Sequence, residues 1–153
     1  MTTRGFEFAY MLDGSNATPV IRDFTLGVAA AHLVGDLMLV QSDGYIDAVT
    51  GTTTEVTCVM QENVPAASIT AGTTTGKAAI ITRNQVWRCS MDASTAATAL
   101  VGYTKLLDTV DKNTVDADDI TNGAMILVDK SETDDDGNLI AYVVFSDTTF
   151  GNT

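Results

Sequence analysis

The densest group of metal-type ligands in the sequence is the acidic run from Asp134 to Asp136, which Gly137 follows. Alternating acidic residues ahead of a glycine are typical of a calcium-binding EF-hand loop, which also needs a bidentate glutamate at its twelfth position and a helix on each side. With Gly137 at the sixth position, the twelfth position is Val143, inside an apolar run. The stretch therefore predicts a hairpin turn without a metal ion, because Asp, Asn and Gly favour tight turns.

Three other patterns could support catalysis or phosphate binding, and each lacks a required residue. His32 is the only histidine, so a Ser-His-Asp or Cys-His arrangement would have to use it as the base, and no GxSxG motif is present. The stretch from Gly72 to Lys77 departs from a phosphate-binding loop in its glycine spacing, and Ala78 has no hydroxyl for Mg²⁺. The acidic pairs of residues 108–119 lack the aromatic residues that line a glycosidase cleft. We therefore predict no enzyme activity and no cofactor.

The charge of the chain restricts its partners. The 153 residues include 20 acidic and 8 basic side chains, which gives a formal net charge of −12. The basic residues are scattered, whereas binding to nucleic acid or an anionic membrane needs clustered Lys and Arg. No signal sequence and no apolar run of membrane-spanning length is visible. Cys58 and Cys89 have neither disulfide-framework nor metal-ligand spacing, and we predict that both are buried as small apolar side chains.

The apolar pattern predicts a mostly β protein in which short strands position these residues. Only 18% of the residues are charged, and Thr, Val and Ala are abundant, which favours strands. The architecture expected from the pattern itself is a small, mostly β domain of antiparallel strands. One short helix is predicted over residues 92–100, with Asp92 as N-cap and Gly102 as stop. The predicted strands cover residues 35–40, 45–49, 55–60, 77–82, 85–89, 103–110, 124–130 and 139–145.

The first 25 residues are predicted to form an extended N-terminal arm, and residues 26–153 a single β-rich domain. Phe6, Phe8 and Tyr10 alternate with other residues, as on one face of a strand. Two interpretations remain open for these aromatic side chains. They pack in the sheet of their own chain, or they contact a partner to which the arm adds a strand.

Five segments occur in a characteristic order: residues 6–8 (FEF), 20–24 (VIRDF), 33–39 (LVGDLML), 122–127 (NGAMIL) and 140–145 (IAYVVF). Together they resemble the head decoration (cement) proteins of tailed bacteriophages. The resemblance implies a structural protein of the virion that binds the outer surface of the expanded capsid and cements neighbouring major capsid subunits. It also implies a small antiparallel β-barrel or β-tulip-like fold, with a sandwich as the alternative. The same resemblance implies self-association as a homotrimer, with a dimer as the alternative, and synthesis in the host cytoplasm. The arm residues expected to bind the capsid are Phe6, Phe8, Tyr10 and Phe24.

The alternative function is that of a phage surface or head-fibre β-module that binds carbohydrate or a host receptor. Such a site needs aromatic side chains beside Asn, Gln or Asp. Trp87 with Asn84, Gln85 and Arg88 comes closest to this composition. Loss of glycan binding on substitution of Trp87 would favour this alternative.

Overall fold

Short antiparallel strands account for most of the regular structure. The computed structural model describes residues 5–51 and 54–151, and within these ranges it contains eleven strands and one 3₁₀ turn, Ala66–Ser68. The predicted mostly β class is confirmed. The strands are β1 Glu7–Met11, β2 Ile21–Thr25, β3 Leu37–Val40, β4 Ile46–Ala48, β5 Cys58–Met60, β6 Thr75–Ile80, β7 Gln85–Ser90, β8 Thr109–Asp111, β9 Thr114–Val115, β10 Met125–Thr133 and β11 Leu139–Phe145.

Nine of the strands form two antiparallel sheets. The first sheet has four strands in the order β1-β7-β11-β10, and the second has five in the order β2-β6-β5-β3-β4. Strands β8 and β9 form a separate two-stranded ribbon. The N-terminal region contributes one edge strand to each sheet, β1 to the first and β2 to the second. The division into an arm and a domain stays a prediction, and the part of it that concerns residues 1–4, 52–53 and 152–153 lies outside the described residues.

The main core contains side chains from both sheets. Trp87 and Phe145 of the first sheet belong to the same buried cluster as Leu37 and Val59 of the second. Burial of this kind is the main favourable contribution to folding, at about 25 cal/mol per Å² of apolar surface.

The central strands of the second sheet, β3 and β5, are buried on both faces. Successive residues of β3, Leu37 and Met38, are both buried but belong to different clusters. The cluster on the second face includes Met38, Ile46 and Met60, and the loop of residues 61–74 contributes Val64 and Ile69 to it. Burial on two faces explains why β3 and β5 are continuous apolar runs instead of alternating ones.

The two edges of the second sheet meet at one point. Leu26, directly after β2, forms a parallel bridge with Ile46 of β4, and the Gly27 amide donates to the Ile46 carbonyl at 3.0 Å. The contact is a single bridge and not a ladder, so these strands do not form a closed barrel. On one side of the part of β2 that precedes this bridge, none of the described strands pairs with it.

The prediction of a helix over residues 92–100 is wrong. The segment runs as a series of bends, and its polar groups bond to other parts of the fold. The Asp92 carboxylate accepts a hydrogen bond from the Ala117 amide at 2.9 Å, and the Lys130 ammonium donates to the Ala96 carbonyl at 2.6 Å. These tertiary contacts outweigh helix propensity, which amounts to only a few tenths of a kcal/mol per residue. The strand predicted over residues 103–110 is likewise reduced to β8 and an isolated bridge.

The acidic run forms the hairpin turn between β10 and β11, as the sequence predicts. The Asp134 carboxylate accepts hydrogen bonds from the amides of Asp136 and Asn138, at 2.9 and 3.0 Å, and from the Ser90 hydroxyl at 2.8 Å. Burial disfavours the charged form of Asp134, but these hydrogen bonds outweigh it and lower the pKa of the carboxyl. Gly137 has a positive φ of 84°, which a residue with a Cβ rarely adopts.

Both cysteines are free thiols in the interior, which confirms their prediction as buried small side chains. Burial raises the pKa of Cys58 to about 12 and also raises the pKa of Cys89. A thiol with a raised pKa is a poor nucleophile, because the thiolate is the reactive form.

Candidate functional site

Two of the four aromatic residues predicted to bind a partner lie in the core. Phe6 has 2% of its surface exposed, and its ring centroid lies 5.6 Å from that of Phe145. Phe8 is partly buried, and its ring packs edge-on against Trp87 at 5.7 Å. In this conformation Phe6 is not accessible to a partner, and Phe8 is accessible only in part.

Tyr10 differs from Phe6 and Phe8 because β1 contains a bulge. The register with β7 shifts between Phe8 and Tyr10, so that Met11 is buried while Tyr10 is 45% exposed. The Tyr10 ring stacks on Tyr142 of the same sheet, with 6.4 Å between centroids. A regular strand would have directed Tyr10 inward with the other two, and the sequence gives no sign of the bulge.

The fourth residue, Phe24, lines an apolar groove of about 550 Å³. Its ring also packs against the second core cluster and lies 6.4 Å from the ring of Phe150, which follows β11 in the chain and is largely exposed. We call this feature the arm groove, and its apolar lining combines both sheets with the C-terminal segment. The residues that define it are Met11, Val20, Phe24, Ile80, Gln85 and Phe150.

An unpaired strand edge lies beside the arm groove. The Ile80 amide donates to the Val20 carbonyl at 2.8 Å across the β2–β6 pair. Such bonds recur at every second residue of an antiparallel pair, so the even-numbered residues of β2 bond to β6. The N–H and C=O groups of Ile21 and Asp23 therefore point away from β6, where no described strand pairs with them. We call this side of β2 the open edge.

The start of the N-terminal region is fixed firmly to the rest of the fold, and we call this contact the arm anchor. The Gly5 amide donates to the Asn113 carbonyl at 2.8 Å, and the Phe6 amide donates to the Gly35 carbonyl at 2.7 Å. Gly5 and Gly35 cross so closely that a Cβ on either would lie 2.9 Å from the Cα of the other. Both have positive φ, so the anchor requires glycine at these two positions.

A buried charged cluster lies next to the arm anchor. Asp36 follows Gly35 in the chain. Its Oδ2 accepts one hydrogen bond from the Leu33 amide at 3.0 Å and forms an ion pair with the Lys112 ammonium at 3.1 Å. His32 is 1% exposed, and its Nδ1 lies 3.9 Å from the same oxygen. Neither ring nitrogen of His32 has a hydrogen-bond partner among the described residues. Burial and the positive charge of Lys112 lower the pKa of His32. A general base must reach a substrate, and this imidazole is enclosed by the protein.

The tryptophan of the carbohydrate-binding alternative is not on the surface. Trp87 is fully buried, and its Nε1 donates to the Gln85 side chain at 3.1 Å. The Asn84 side chain donates to Asp13 at 3.0 Å. A sugar ring stacks on an exposed aromatic face, so Trp87 cannot perform that role in this fold.

In residues 5–51 and 54–151, no three His, Cys, Asp or Glu side chains are grouped to hold a metal ion. Among the helices of the same residues, none has the length and apolarity to cross a membrane. Comparison of the chain with protein-family models, with curated proteins and with solved structures finds no match.

Sequence reasoning missed several residues of the candidate site. The sequence indicates Val20 and Ile21 only as part of a segment that carries the resemblance, and it predicts no role for Phe150. The available signals were an apolar pair directly after Pro19 and a phenylalanine within a polar C-terminal stretch. Neither signal indicates that the two segments meet in one groove, because that depends on the sheet order.

Proposed function

We propose that this protein is a structural component of a bacteriophage virion that binds the outer surface of the expanded capsid and cements neighbouring major capsid subunits. The observation that carries the proposal is the arm groove beside the open edge. Together they combine apolar pockets with unpaired main-chain groups on one surface. The resemblance of the five sequence segments to head decoration proteins supplies the identity of the partner.

The physical basis of binding is strand addition. An extended segment of a capsid subunit would hydrogen-bond to the main chain of Ile21 and Asp23, which gives affinity with little dependence on sequence. Its alternate side chains would enter the arm groove against Phe24 and Phe150, which gives specificity. Of the predicted contact residues, Tyr10 is thus the most exposed, and Phe24 is partly buried but lines the groove. Phe6 and the partly buried Phe8 pack in the main core instead.

Cementing follows from binding to many sites. Each copy that contacts two capsid subunits links them, and several copies joined as a homotrimer would bind with a higher avidity than one. A protein that binds only the expanded lattice stabilises that lattice by mass action. The strongly acidic remainder of the surface would face outward, where it keeps particles apart.

The experiment is co-sedimentation of the purified protein with capsids of its source phage. Expanded capsids that lack the protein are compared with unexpanded ones, and we expect saturable binding to the expanded form only. Two variants target the site. Val20→Glu places a charge in the arm groove, and Ile21→Pro removes an N–H group that points to the open edge. Proline is tolerated at the first residue of an edge strand, so the second variant leaves the ladder with β6 intact.

Val34→Glu is the matched control, because Val34 is exposed to a similar extent and lies outside the groove. It should bind like the unmodified protein, while both site variants bind at least about tenfold more weakly. The proposal is wrong if the unmodified protein does not bind expanded capsids under conditions in which a known cement protein binds its own capsid.

A further inference from the structure

A second apolar surface lies away from the arm groove, in the segment predicted to be helical and the residues that follow it. A cleft of about 680 Å³ is lined by Leu100, Tyr103, Lys105, Leu106 and Ile120, and we call it the loop cleft. Tyr103 is 78% exposed, and the leucine side chains are about half-exposed. Clustered apolar side chains of this kind mark interaction sites, whereas single exposed ones are ordinary.

The loop cleft is presented by a well-anchored backbone. The Gly102 amide donates to the Leu127 carbonyl at 2.9 Å, and the Leu127 amide donates to the Thr104 carbonyl at 3.1 Å. The Thr104 hydroxyl also accepts a hydrogen bond from the Leu100 amide at 2.7 Å. These bonds tie the loop to β10, so its exposed side chains are held in place before binding. A preorganised surface loses less conformational entropy on association than a flexible one.

The charge of the chain is distributed very unevenly along the sequence, and most residues of the loop cleft lie in its least acidic stretch. Residues 63–107 contain four basic side chains and one acidic one, a net charge of +3. The other residues contain four basic and nineteen acidic side chains, a net charge of −15, and the two parts sum to −12. Lys105 lines the loop cleft, and Arg83 lines an adjoining depression that shares Leu106 with it and also contains Asp147. Both cations are exposed, and neither forms an ion pair with a described residue.

We infer that the loop cleft binds a second copy of this chain, with Lys105 and Arg83 facing the acidic part of that copy. Two chains of charge −12 repel each other over most of their surfaces, so a contact between copies must use the part that is not acidic. Acidic side chains for such a contact are abundant, since residues 108–136 contain ten acidic side chains and two basic ones, and of the ten only Asp108 and Asp134 are buried. Contact between two unlike surfaces is heterologous, and such contacts close into rings when the rotation allows it.

This inference goes beyond the proposed function, because it requires no capsid and uses a different surface. It also deepens that function, since it assigns the surface through which the copies would associate. A ring joined through the loop clefts leaves the arm groove of each copy for the capsid. Failure of one proposal therefore leaves the other standing.

The test is sedimentation velocity of the purified protein at concentrations from about 1 to about 100 µM, over which association appears as a concentration-dependent mass. We expect the unmodified protein to form a defined oligomer. Val101→Glu adds a charge at a half-exposed apolar position beside the cleft, and Lys105→Glu reverses the cation within it. Each should raise the dissociation constant by at least about tenfold, whereas Lys105→Arg should not. Raising the salt concentration should weaken association of the unmodified protein, because it screens exposed charges.

Val28→Glu is the matched control, since Val28 is 48% exposed and Val101 is 49% exposed. It should associate like the unmodified protein, and circular dichroism should show that all variants are folded. The inference is overturned if the unmodified protein stays monomeric throughout, or if Val101→Glu and Lys105→Glu associate as strongly as Val28→Glu. The groove variant Val20→Glu should associate normally, which separates this result from a loss of capsid binding.

Discussion

The two strands of the N-terminal region, β1 and β2, carry aromatic residues at comparable positions but lie in opposite situations. Before β1, the arm anchor holds Gly5 and Phe6 against the interior, and the aromatic side chains of Phe6 and Phe8 complete the main core. Strand β2 has no fully buried residue, and one of its sides is the open edge. The same chain segment therefore supports the fold with its first half and offers a binding surface with its second.

The difference shows that an aromatic side chain near a terminus has no fixed role. What decides its role is whether other elements cover the strand that carries it. Phe6 is covered by residues far along the chain, such as Phe145, whereas the aromatic ring packed against Phe24 is that of Phe150, which is itself 53% exposed. If the contrast is real, substitutions at the arm anchor should reduce stability, and those near the open edge should chiefly reduce binding.

The largest effect is expected from Phe6→Ala. Removing a fully buried phenylalanine should lower the free energy of unfolding by about 3–5 kcal/mol, because the lost apolar burial is accompanied by a cavity. Phe24→Ala should cost only about 1–2 kcal/mol, since this side chain is partly exposed already. Urea unfolding followed by tryptophan fluorescence measures both, with Trp87 as the only tryptophan. Equal losses in the two variants would remove the contrast between β1 and β2.

A somewhat smaller effect is expected from Gly35→Ala, which disturbs the arm anchor through the backbone. The new Cβ would lie 2.9 Å from the Gly5 Cα, at a residue with a φ of 97°. We expect a loss of at least about 2 kcal/mol in the free energy of unfolding. Gly44→Ala is the control, because Gly44 has a similar φ of 85° but open space around it. The free energy of unfolding of this variant should fall by only about 1 kcal/mol. Similar losses would mean that the close approach of Gly5 and Gly35 contributes nothing.

A third comparison concerns one ion pair near each strand. Lys112→Ala removes the charged partner of the buried Asp36 beside the arm anchor. It should lower the free energy of unfolding by about 1–3 kcal/mol, because a buried carboxylate loses a charged hydrogen bond. Lys77 pairs with Asp23 of β2 at 3.0 Å, but both side chains are largely exposed. Lys77→Ala should leave the thermal unfolding midpoint unchanged within error, since such surface pairs contribute little. A larger shift for Lys77→Ala than for Lys112→Ala would contradict this assignment.

Much of the fold was predictable from the sequence, because strand formation depends on local pattern. Glycine and Asx turns separate apolar runs, and these runs became β3, β7, β10 and β11 within a few residues of the predicted limits. The hairpin turn at Asp134 was predictable for the same reason. The helix over residues 92–100 was not excluded by its sequence, because its replacement depends on contacts with Ala117 and Lys130, which are distant in the chain.

The candidate site was less predictable, since it depends on the order of strands in the sheets. The sequence indicated aromatic residues in the first 25 positions but could not distinguish the buried Phe6 from the accessible Phe24. The bulge before Tyr10 and the position of Phe150 both arise from long-range pairing. Periodicity gives the alternation of faces along a strand and leaves open which face another element covers.

The smallest effect that tests the contrast is the response of the arm anchor to pH, through His32. This residue faces Asp36, Lys112 and Asp47, and burial, followed by the charge of Lys112, lowers its pKa in the folded protein. A group whose folded pKa lies below its unfolded value of 6.5 stabilises the fold above that pH and loses this contribution as the pH falls. The free energy of unfolding should therefore decrease between pH 7.5 and pH 5.5, and it should decrease less in His32→Gln, which cannot gain the proton. Urea unfolding at both pH values measures the free energy of unfolding of each protein. The two proteins share the same carboxylates, so the effect of carboxylate titration cancels in the difference between them. An equal decrease in the unmodified protein and in His32→Gln would show that protonation of His32 does not disfavour the folded state. The stability contributed by the cluster beside the arm anchor would then depend on acid no more than that contributed by the solvated residues of β2.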